Sequence, residues 1–431
     1  MNRMSSATAL AVLVVLVPLA PALGGSWSIS PNLVDPNVGE PVDWVDIWED
    51  IWDDLQAQRQ EVTPWLKAAG LPSADNAALL YYQAFVLRPK PDDATSEMIN
   101  AVLRGAEPDS KIRSYLGHCR DTIRLAEMAG QMPQCTWGFR HPDGRDMSMQ
   151  VLGEVRQLAF VLAVDARTLA YDGHERAALA RCVAIRQLAR HIGDEVLVTF
   201  LMACGVDAFA HGTMRDVLGI EPAQAEDLRW LRGQLAVVDG TPRSLAKVVY
   251  RDFELSVEQM RGDAVRLTEI RASWPPETAG MADEEIVARA RELRQPFQDG
   301  VQAVLDSDMP YERQQAEIER LGAELEARCA GETLDRDLWL WASPPSQVAR
   351  VHDLNTRAVA YANALKIAAT IYLEHAETGQ LPEALPEHML KDPFSGRDFE
   401  YEVTADGFLL RRHVVDPARD KLWEYEFRVR D

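Results

Sequence analysis

The sequence lacks the short motifs that most often mark an enzyme. It has no glycine-rich nucleotide fingerprint after a strand, no P-loop, no GxSxG nucleophile motif and no HExxH zinc motif. It also has no CxxC pair, so zinc-ribbon and thioredoxin-type chemistry lack support. The sequence therefore predicts no cofactor and no metal.

Cysteine is scarce and its number is odd. The 431 residues include five cysteines, which excludes a disulfide framework for a chain of this size. Cys119 and Cys135 lie on either side of a turn-prone segment, so a disulfide between them stays open. Cys182 and Cys204 fall within apolar helical patterns, which is typical of small buried side chains.

Positive charge is also in short supply. Lysine and arginine total 45 against 67 aspartates and glutamates, which gives a net charge of -22 and a pI of about 4.9. Such a field repels a phosphate backbone, so nucleic acid is not expected as a partner. Apolar residues make up 47% of the chain, which is ordinary for a globular protein and excludes wholesale disorder.

The N-terminus has the features of an export signal. Arg3 is the only charge before Asp35, and residues 7–23 are almost wholly apolar. Small residues then fit a cleavage site. We expect residues 1–24 to be a signal peptide and residues 25–40 a leader, and the protein to be periplasmic or extracellular. Membrane contact is expected only through an uncleaved signal segment.

Three tryptophans follow the leader. Trp44, Trp48 and Trp52 are spaced by four residues, with acidic residues on the other faces. This spacing predicts one amphipathic helix. Its aromatic stripe either packs into the body of the protein or forms a binding platform, and the acidic faces offer a second, calcium-attracting interpretation.

The remaining pattern predicts a mainly helical protein. Residues 41–220 are expected to form a helical domain and residues 221–342 a second helical block. Short joints at residues 172–173 and 193–194 predict stacked antiparallel hairpins, an irregular arrangement resembling tetratricopeptide repeats. Residues 343–346, Ser-Pro-Pro-Ser, are expected to be a linker.

Several individual elements can be predicted within these blocks. Asp75 or Asn76 is expected to cap a helix that ends near residue 87. Apolar spacing predicts one helix over residues 111–129 and a long one over residues 242–273. Residues 311–330 are rich in charge and are expected to form a solvent-exposed arm.

The densest titratable cluster is His191, Asp194 and Glu195, at a joint between two predicted helices. A catalytic role would need a further group from elsewhere, such as His211 or Glu154. The alternative is that His191 lies near a helix C-terminus and Asp194 caps the next helix.

A second set of acids lies on the long helix of residues 242–273. Asp252, Glu254, Glu258 and Asp263 could supply paired carboxylates for glycoside hydrolysis. The alternative is an ordinary solvated helix face.

The pattern changes after residue 346. An alanine-rich helix is expected over residues 347–378, followed by alternating runs at residues 399–403, 408–414 and 422–429. Residues 405–407, Ala-Asp-Gly, suit a hairpin turn between the first two runs. Residues 347–431 are therefore predicted to form a small α+β unit, one long helix on a three-stranded antiparallel sheet.

Four blocks of this tail occur in order, at residues 372–382, 391–396, 399–401 and 406–408. The arrangement resembles the globular domain of type II secretion pseudopilins, in which a long helix leads through a Gly-x-x-Pro turn into a three-stranded sheet. The family's hydrophobic assembly helix and its Asp-rich calcium loop have no counterpart here. The resemblance therefore implies the fold, and not pilus assembly or calcium binding.

Three blocks of the body, residues 76–82, 135–138 and 190–197, resemble a group of uncharacterised exported bacterial proteins. That resemblance implies a helical body with this tail and no particular chemistry.

Two functions fit the sequence. The first is an exported non-enzymatic scaffold that binds a protein or peptide, with the tail as an interaction module. The alternative is an exported hydrolase with a site in the helical body.

Overall fold

The computed structural model describes residues 76–138, 144–240, 243–262, 280–330, 345–386, 388–416 and 421–430. Within these residues the protein is mainly helical, with a small C-terminal three-stranded antiparallel sheet. This confirms the predicted fold class at that level. The signal and leader segments and the helix of Trp44, Trp48 and Trp52 lie outside the described residues.

Twelve helices are described. They are α1 (Ala77–Leu87), α2 (Asp93–Leu103), α3 (Ser110–His118), α4 (Arg120–Gly130), α5 (Gly144–Tyr171), α6 (Glu175–Ile192), α7 (Leu197–Leu218), α8 (Ala225–Val238), α9 (Leu245–Gly262), α10 (Asp283–Leu305), α11 (Tyr311–Cys329) and α12 (Pro345–Thr378). The strands are β1 (Glu400–Thr404), β2 (Gly407–Asp416) and β3 (Lys421–Arg428).

Helix α7 contributes to three hydrophobic cores. Ala210 belongs to a core with α1–α6, Leu218 to one with α8, α12 and the sheet, and Phe200 to one with α9–α12. By length and composition α7 is the one described helix that could cross a membrane, and 78% of its most apolar window is buried inside the protein. A core helix covered on all sides has this composition.

One helical prediction was wrong, one helix was missed and one predicted cap is confirmed. The predicted helix over residues 111–129 is broken at Cys119, whose amide donates to the carbonyl oxygens of both Tyr115 and Leu116 in the tight geometry of a helix end. Helix α2, which the pattern missed, starts at a cap in which the Asp92 carboxylate accepts the Thr95 amide. The cap of α1 is Asn76, as expected.

Helix α11 is not a free solvent-exposed arm. Ile318, Leu325 and Cys329 are buried against neighbouring helices of the third core. Its charged residues occupy only the outer side. The prediction of a solvent-exposed element therefore holds for one face of the helix and is wrong for the other.

The tail has the predicted elements but begins earlier than expected. Helix α12 starts at Pro345, inside the predicted linker, because proline suits the first turn of a helix. The sheet order is β1-β2-β3, and both pairs are antiparallel. Buried residues of α12 share the second core with α5–α8 and the sheet, so the tail packs directly on the helical body.

The hairpin between β1 and β2 turns over two residues, Ala405 and Asp406, as the sequence predicts. Thr404 pairs with Gly407, whose φ is +153°. A side chain at Gly407 would collide with the carbonyl oxygen of Phe427 on β3, so glycine is required there.

Candidate functional site

The three body blocks singled out in the sequence meet in one aromatic cluster, which we call the aromatic joint: Tyr81, Tyr82, Phe85, Trp137 and His191. Trp137 is fully buried and stacks on Tyr81 and Phe85, with ring centroids 5.4 and 6.2 Å away. The Tyr82 ring meets it edge-on at 5.6 Å. The joint thereby fastens α1 and the segment after α4 to the end of α6.

Polar contacts fix the same joint. The indole N–H of Trp137 donates to the carbonyl oxygen of His191 at 2.8 Å, and the Tyr82 hydroxyl donates to the carbonyl of Trp137 at 2.7 Å. The Asn76 carboxamide oxygen accepts the amides of Ala78 and Thr136, so the residue that caps α1 also holds the Trp137 segment.

Both ring nitrogens of His191 are engaged. Nε2 lies 3.1 Å from the carbonyl oxygen of Met132, which can only accept, so Nε2 carries the proton. Nδ1 then accepts the hydroxyl of Tyr81 at 3.0 Å. Burial lowers the pKa of His191 from 6.5 to about 4, so the imidazole is neutral at pH 7.

The structure does not bring His191, Asp194 and Glu195 to one point. Neither ring nitrogen of His191 contacts a carboxylate. Asp194 is exposed, and Glu195 forms an ion pair with Arg251 on α9 at 2.6 Å. Burial raises the pKa of Glu195, and Arg251 offsets part of that shift.

Asp194 does not cap α7 either. The N-cap is Val196, and the first amide of the helix, that of Leu197, donates to the carboxylate of Asp252 at 3.3 Å. A residue distant in sequence therefore takes the capping role, which local spacing could not reveal. The position of His191 in the last turn of α6 agrees with the alternative interpretation.

Other candidate acids are also paired with arginines from neighbouring helices. Glu154 binds Arg88 at 2.8 Å, and Glu254 binds Arg291 at 2.7 Å. These pairs cross from one helix to another and so serve as interhelical contacts. The side chains of Glu258 and Asp263 lie outside the described residues.

The disulfide left open between Cys119 and Cys135 is not formed. All five cysteines are free thiols, and Cys119 is buried. Burial raises the pKa of both Cys119 and Cys135, which disfavours the reactive thiolate.

A second cluster lies where both helical blocks meet the tail, and none of the sequence predictions included it. We call it the central charge network; it consists of Arg186, Asp207, Asp239, Arg243 and Lys366. Arg243 binds Asp207 at 2.6 Å, and Arg186 lies 3.4 Å from Asp207 and 2.6 Å from Asp239. Lys366 binds Asp239 at 2.5 Å.

The network joins five segments. Arg186 is on α6, Asp207 on α7, Asp239 at the C-cap of α8, Arg243 just before α9, and Lys366 on α12. Arg186 and Asp207 are nearly inaccessible to solvent, with 5% and 8% of their side chains exposed. The network therefore links both helical blocks to the tail.

The electrostatics of the network favour charged carboxylates despite burial. Burial raises the pKa of Asp207, but Arg243 and Arg186 outweigh it and hold that pKa below its usual value. Asp239 behaves alike, with Arg186 and Lys366 as the opposing charges. The network contains three cations and two anions, so it carries a net positive charge.

Arg243 connects the central charge network to the joint between α6 and α7. Its guanidinium lies 3.5 Å from the carbonyl of Ala189, and its Cδ would lie 2.5 Å from a Cβ at residue 193. Gly193 is therefore needed for close packing of Arg243. The Arg243 guanidinium also lies 5.6 Å from the ring centre of Phe200.

His211 lies beside this network with both ring nitrogens buried and unpartnered among the described residues. Its ring is 5.3 Å from that of Tyr361 on α12, whose hydroxyl is likewise unpartnered there. Burial, followed by the charge of Arg186, lowers the pKa of His211 to about 3. The sequence suggested His211 as a helper of His191, but the structure places it with a different cluster.

No group of three or more His, Cys, Asp or Glu side chains in the described part of the chain could hold a metal ion. No protein-family profile, no curated protein and no solved structure matches this chain. A function for the protein must therefore be inferred from the geometry of the two clusters and of the surface around them.

Stability is expected to fall with acidification because of buried imidazoles, among them His191 and His211. Their pKa values in the fold lie below the unfolded value of about 6.5, so the unfolded chain binds more protons below that pH. The stability that the neutral imidazoles provide is fully present above pH 6.5. It is lost as the pH falls towards the pKa values in the fold, about 4 for His191 and about 3 for His211. Replacing His211→Leu should flatten the decline between pH 6 and 4.5 by about 1.4 kcal/mol per pH unit.

Urea unfolding at several pH values tests this expectation. At pH 7 His211→Leu should be neutral or slightly stabilising, since it removes two buried nitrogens that have no hydrogen-bond partner among the described residues. Parallel curves of unfolding free energy against pH for the two proteins would show that His211 does not titrate on unfolding.

Proposed function

We propose that this protein is an exported scaffold that binds a protein or peptide partner on its helical surface, with the C-terminal unit as an interaction module. In this proposal the body consists of stacked, irregular helical hairpins of the tetratricopeptide kind. The short turns that join α5, α6 and α7, each of which packs against the others, support that arrangement.

The observation that carries the proposal is that the candidate catalytic acids are engaged in contacts between helices. Glu154, Glu195 and Glu254, which the sequence offered for acid–base chemistry, pair with arginines of other helices. Asp252 stabilises the start of α7. Residues in such positions hold helices at fixed angles, and a fixed helical surface is what a binding scaffold requires.

The resemblance of the tail to the globular domain of pseudopilins supports the second half of the proposal. The predicted order of long helix, Asp-Pro loop and three strands agrees with the elements of the tail. Asp392 in that loop is fully buried and accepts the Phe394 amide at 3.2 Å and the Ser395 hydroxyl at 2.8 Å. The same carboxylate forms an ion pair with Arg412 on β2 at 3.4 Å, which holds the loop against the sheet.

Photocrosslinking from the helical surface tests the proposal. A photoreactive amino acid placed at Val237 or Tyr250, which are 63% and 50% exposed, should form a discrete adduct in the native host. The adduct should be identified by mass spectrometry and reproduced with the two purified proteins. A probe at Asp121, an exposed acid on α4, controls for general surface crosslinking.

A catalytic assay addresses the hydrolase alternative. The purified chain should be incubated with ester, amide and glycoside substrates beside the variant Glu195→Gln. Turnover that the wild type shows and the variant lacks would contradict a purely binding role. In the crosslinking experiment, equal adduct formation from all three probe positions would contradict a specific binding surface.

A further inference from the structure

The edge of the C-terminal sheet has an unpaired strand. β1 pairs only with β2 among the described residues, and its other side has no neighbouring strand. Thr404 and Gly407 flank a two-residue turn, so they form a hydrogen-bonded pair, and hydrogen-bonded pairs alternate along the ladder. Tyr401 and Val403 therefore direct their backbone N–H and C=O groups to the open edge.

The two faces of β1 differ in chemistry at this edge. Val403 lies on the face that covers the core, in line with the buried Phe408 and Phe427, yet 50% of Val403 is exposed. The apolar face of the sheet thus extends beyond the area that is buried in the core. An added strand could place an apolar side chain next to Val403.

The solvent face is acidic. Glu400 and Glu402 on β1 and Glu424 on β3 surround Arg411, which lies 3.6, 3.5 and 2.7 Å from them. Glu426 on β3 is exposed on the same face. Arg428 on β3 lies on the same face, so two arginines face four glutamates and negative charge remains beside the open edge.

From these features we infer that β1 accepts an extended, basic peptide segment of a partner protein by strand addition, with lysine or arginine at alternate positions beside Glu400 and Glu402 and apolar residues beside Val403. Backbone hydrogen bonds supply affinity in this mode and the alternating side chains supply specificity. A second copy of this chain fits worse, because its own β1 would set glutamate against glutamate.

This inference rests on the proposed binding function and names one partner class and one surface for it. The probe is a fluorescent peptide of alternating lysine and valine, titrated by anisotropy against the full chain. A peptide of the same composition with its lysines and valines in separate blocks is the control, because general attraction to an acidic protein would bind both equally.

A matched pair of variants tests the backbone contact. Val403→Pro removes an outward amide that makes no hydrogen bond in the sheet, so the fold should tolerate it. Affinity for the alternating peptide should fall about tenfold, whereas Val403→Thr should change affinity by less than about twofold. Glu400→Gln combined with Glu402→Gln should weaken binding about fivefold and reduce its salt dependence.

Hydrogen exchange gives a readout that does not depend on variants. Saturating peptide should slow exchange of the Tyr401 and Val403 amides by at least about tenfold, with little change at Glu402. Equal binding of the block peptide, self-association through these amides, or no binding at all would overturn the inference. Crosslinks from Val237 or Tyr250 would survive such a failure, so the proposed function is tested separately.

Discussion

Replacing Asp207→Ala is expected to lower the free energy of unfolding by about 3–5 kcal/mol, because it leaves Arg243 and Arg186 buried without their shared carboxylate. Of these two arginines only Arg186 also contacts Asp239, so the buried charge of Arg243 costs more once Asp207 is removed. Urea unfolding at pH 7, followed by circular dichroism, measures the loss.

Two matched variants make this result interpretable. Asp194→Ala removes an exposed acid from the joint between α6 and α7, where it makes no contact in the network and acts on Arg243 only through its solvent-screened charge, and it should change stability by less than about 0.5 kcal/mol. The double variant Asp207→Leu with Arg243→Met removes a cation together with its anion, and should recover at least half of the loss.

The outcome distinguishes a structural network from an incidental one. If Asp207→Ala proves too unstable to purify, the double variant still reports, because it retains the Arg186–Asp239 pair. A cost for Asp207→Ala no larger than that of Asp194→Ala would show that the central charge network does not hold the five segments together.

Local patterns were sufficient for most helices and for the sheet. The turn at Ala405 and Asp406, the cap at Asn76 and the short joints between α5, α6 and α7 depend on residues a few positions apart, so spacing reveals them. The break at Cys119 escaped detection because the apolar spacing continues through it. Helix α11 was misjudged because its buried stripe is narrow and the charges around it dominate the composition.

The candidate sites were less accessible to sequence reasoning, for a different physical reason. The central charge network draws one residue from each of five segments separated by up to 180 positions, and periodicity carries no information about such pairing. One signal was available. Asp207 lies in the most apolar long helix of the described chain, and a charge in such a helix must be paired in the core.

The aromatic joint provides the second large effect. Trp137→Ala should cost about 3–5 kcal/mol, since the ring is fully buried and its removal leaves a cavity between Tyr81 and Phe85. It also removes the donor to the carbonyl oxygen of His191. Trp137→Phe retains a ring but no donor, so it should cost about 1–3 kcal/mol and separates the two contributions.

Trp230→Ala is the matched control, because that indole is only partly buried and is covered by Arg176, whose guanidinium lies 4.8 Å from the ring centre. It should cost about 1–2 kcal/mol. Urea unfolding compares the three variants, and hydrogen exchange at Ala77, whose amide donates to the Gln134 carbonyl, reports on the joint itself. If Trp137→Ala and Trp230→Ala cost the same and Ala77 stays protected, α1 is held to α6 by contacts other than this indole. If instead Trp137→Ala costs more than Trp230→Ala and the Ala77 amide exchanges through partial unfolding, the segment that carries Trp137 is what holds α1 in place.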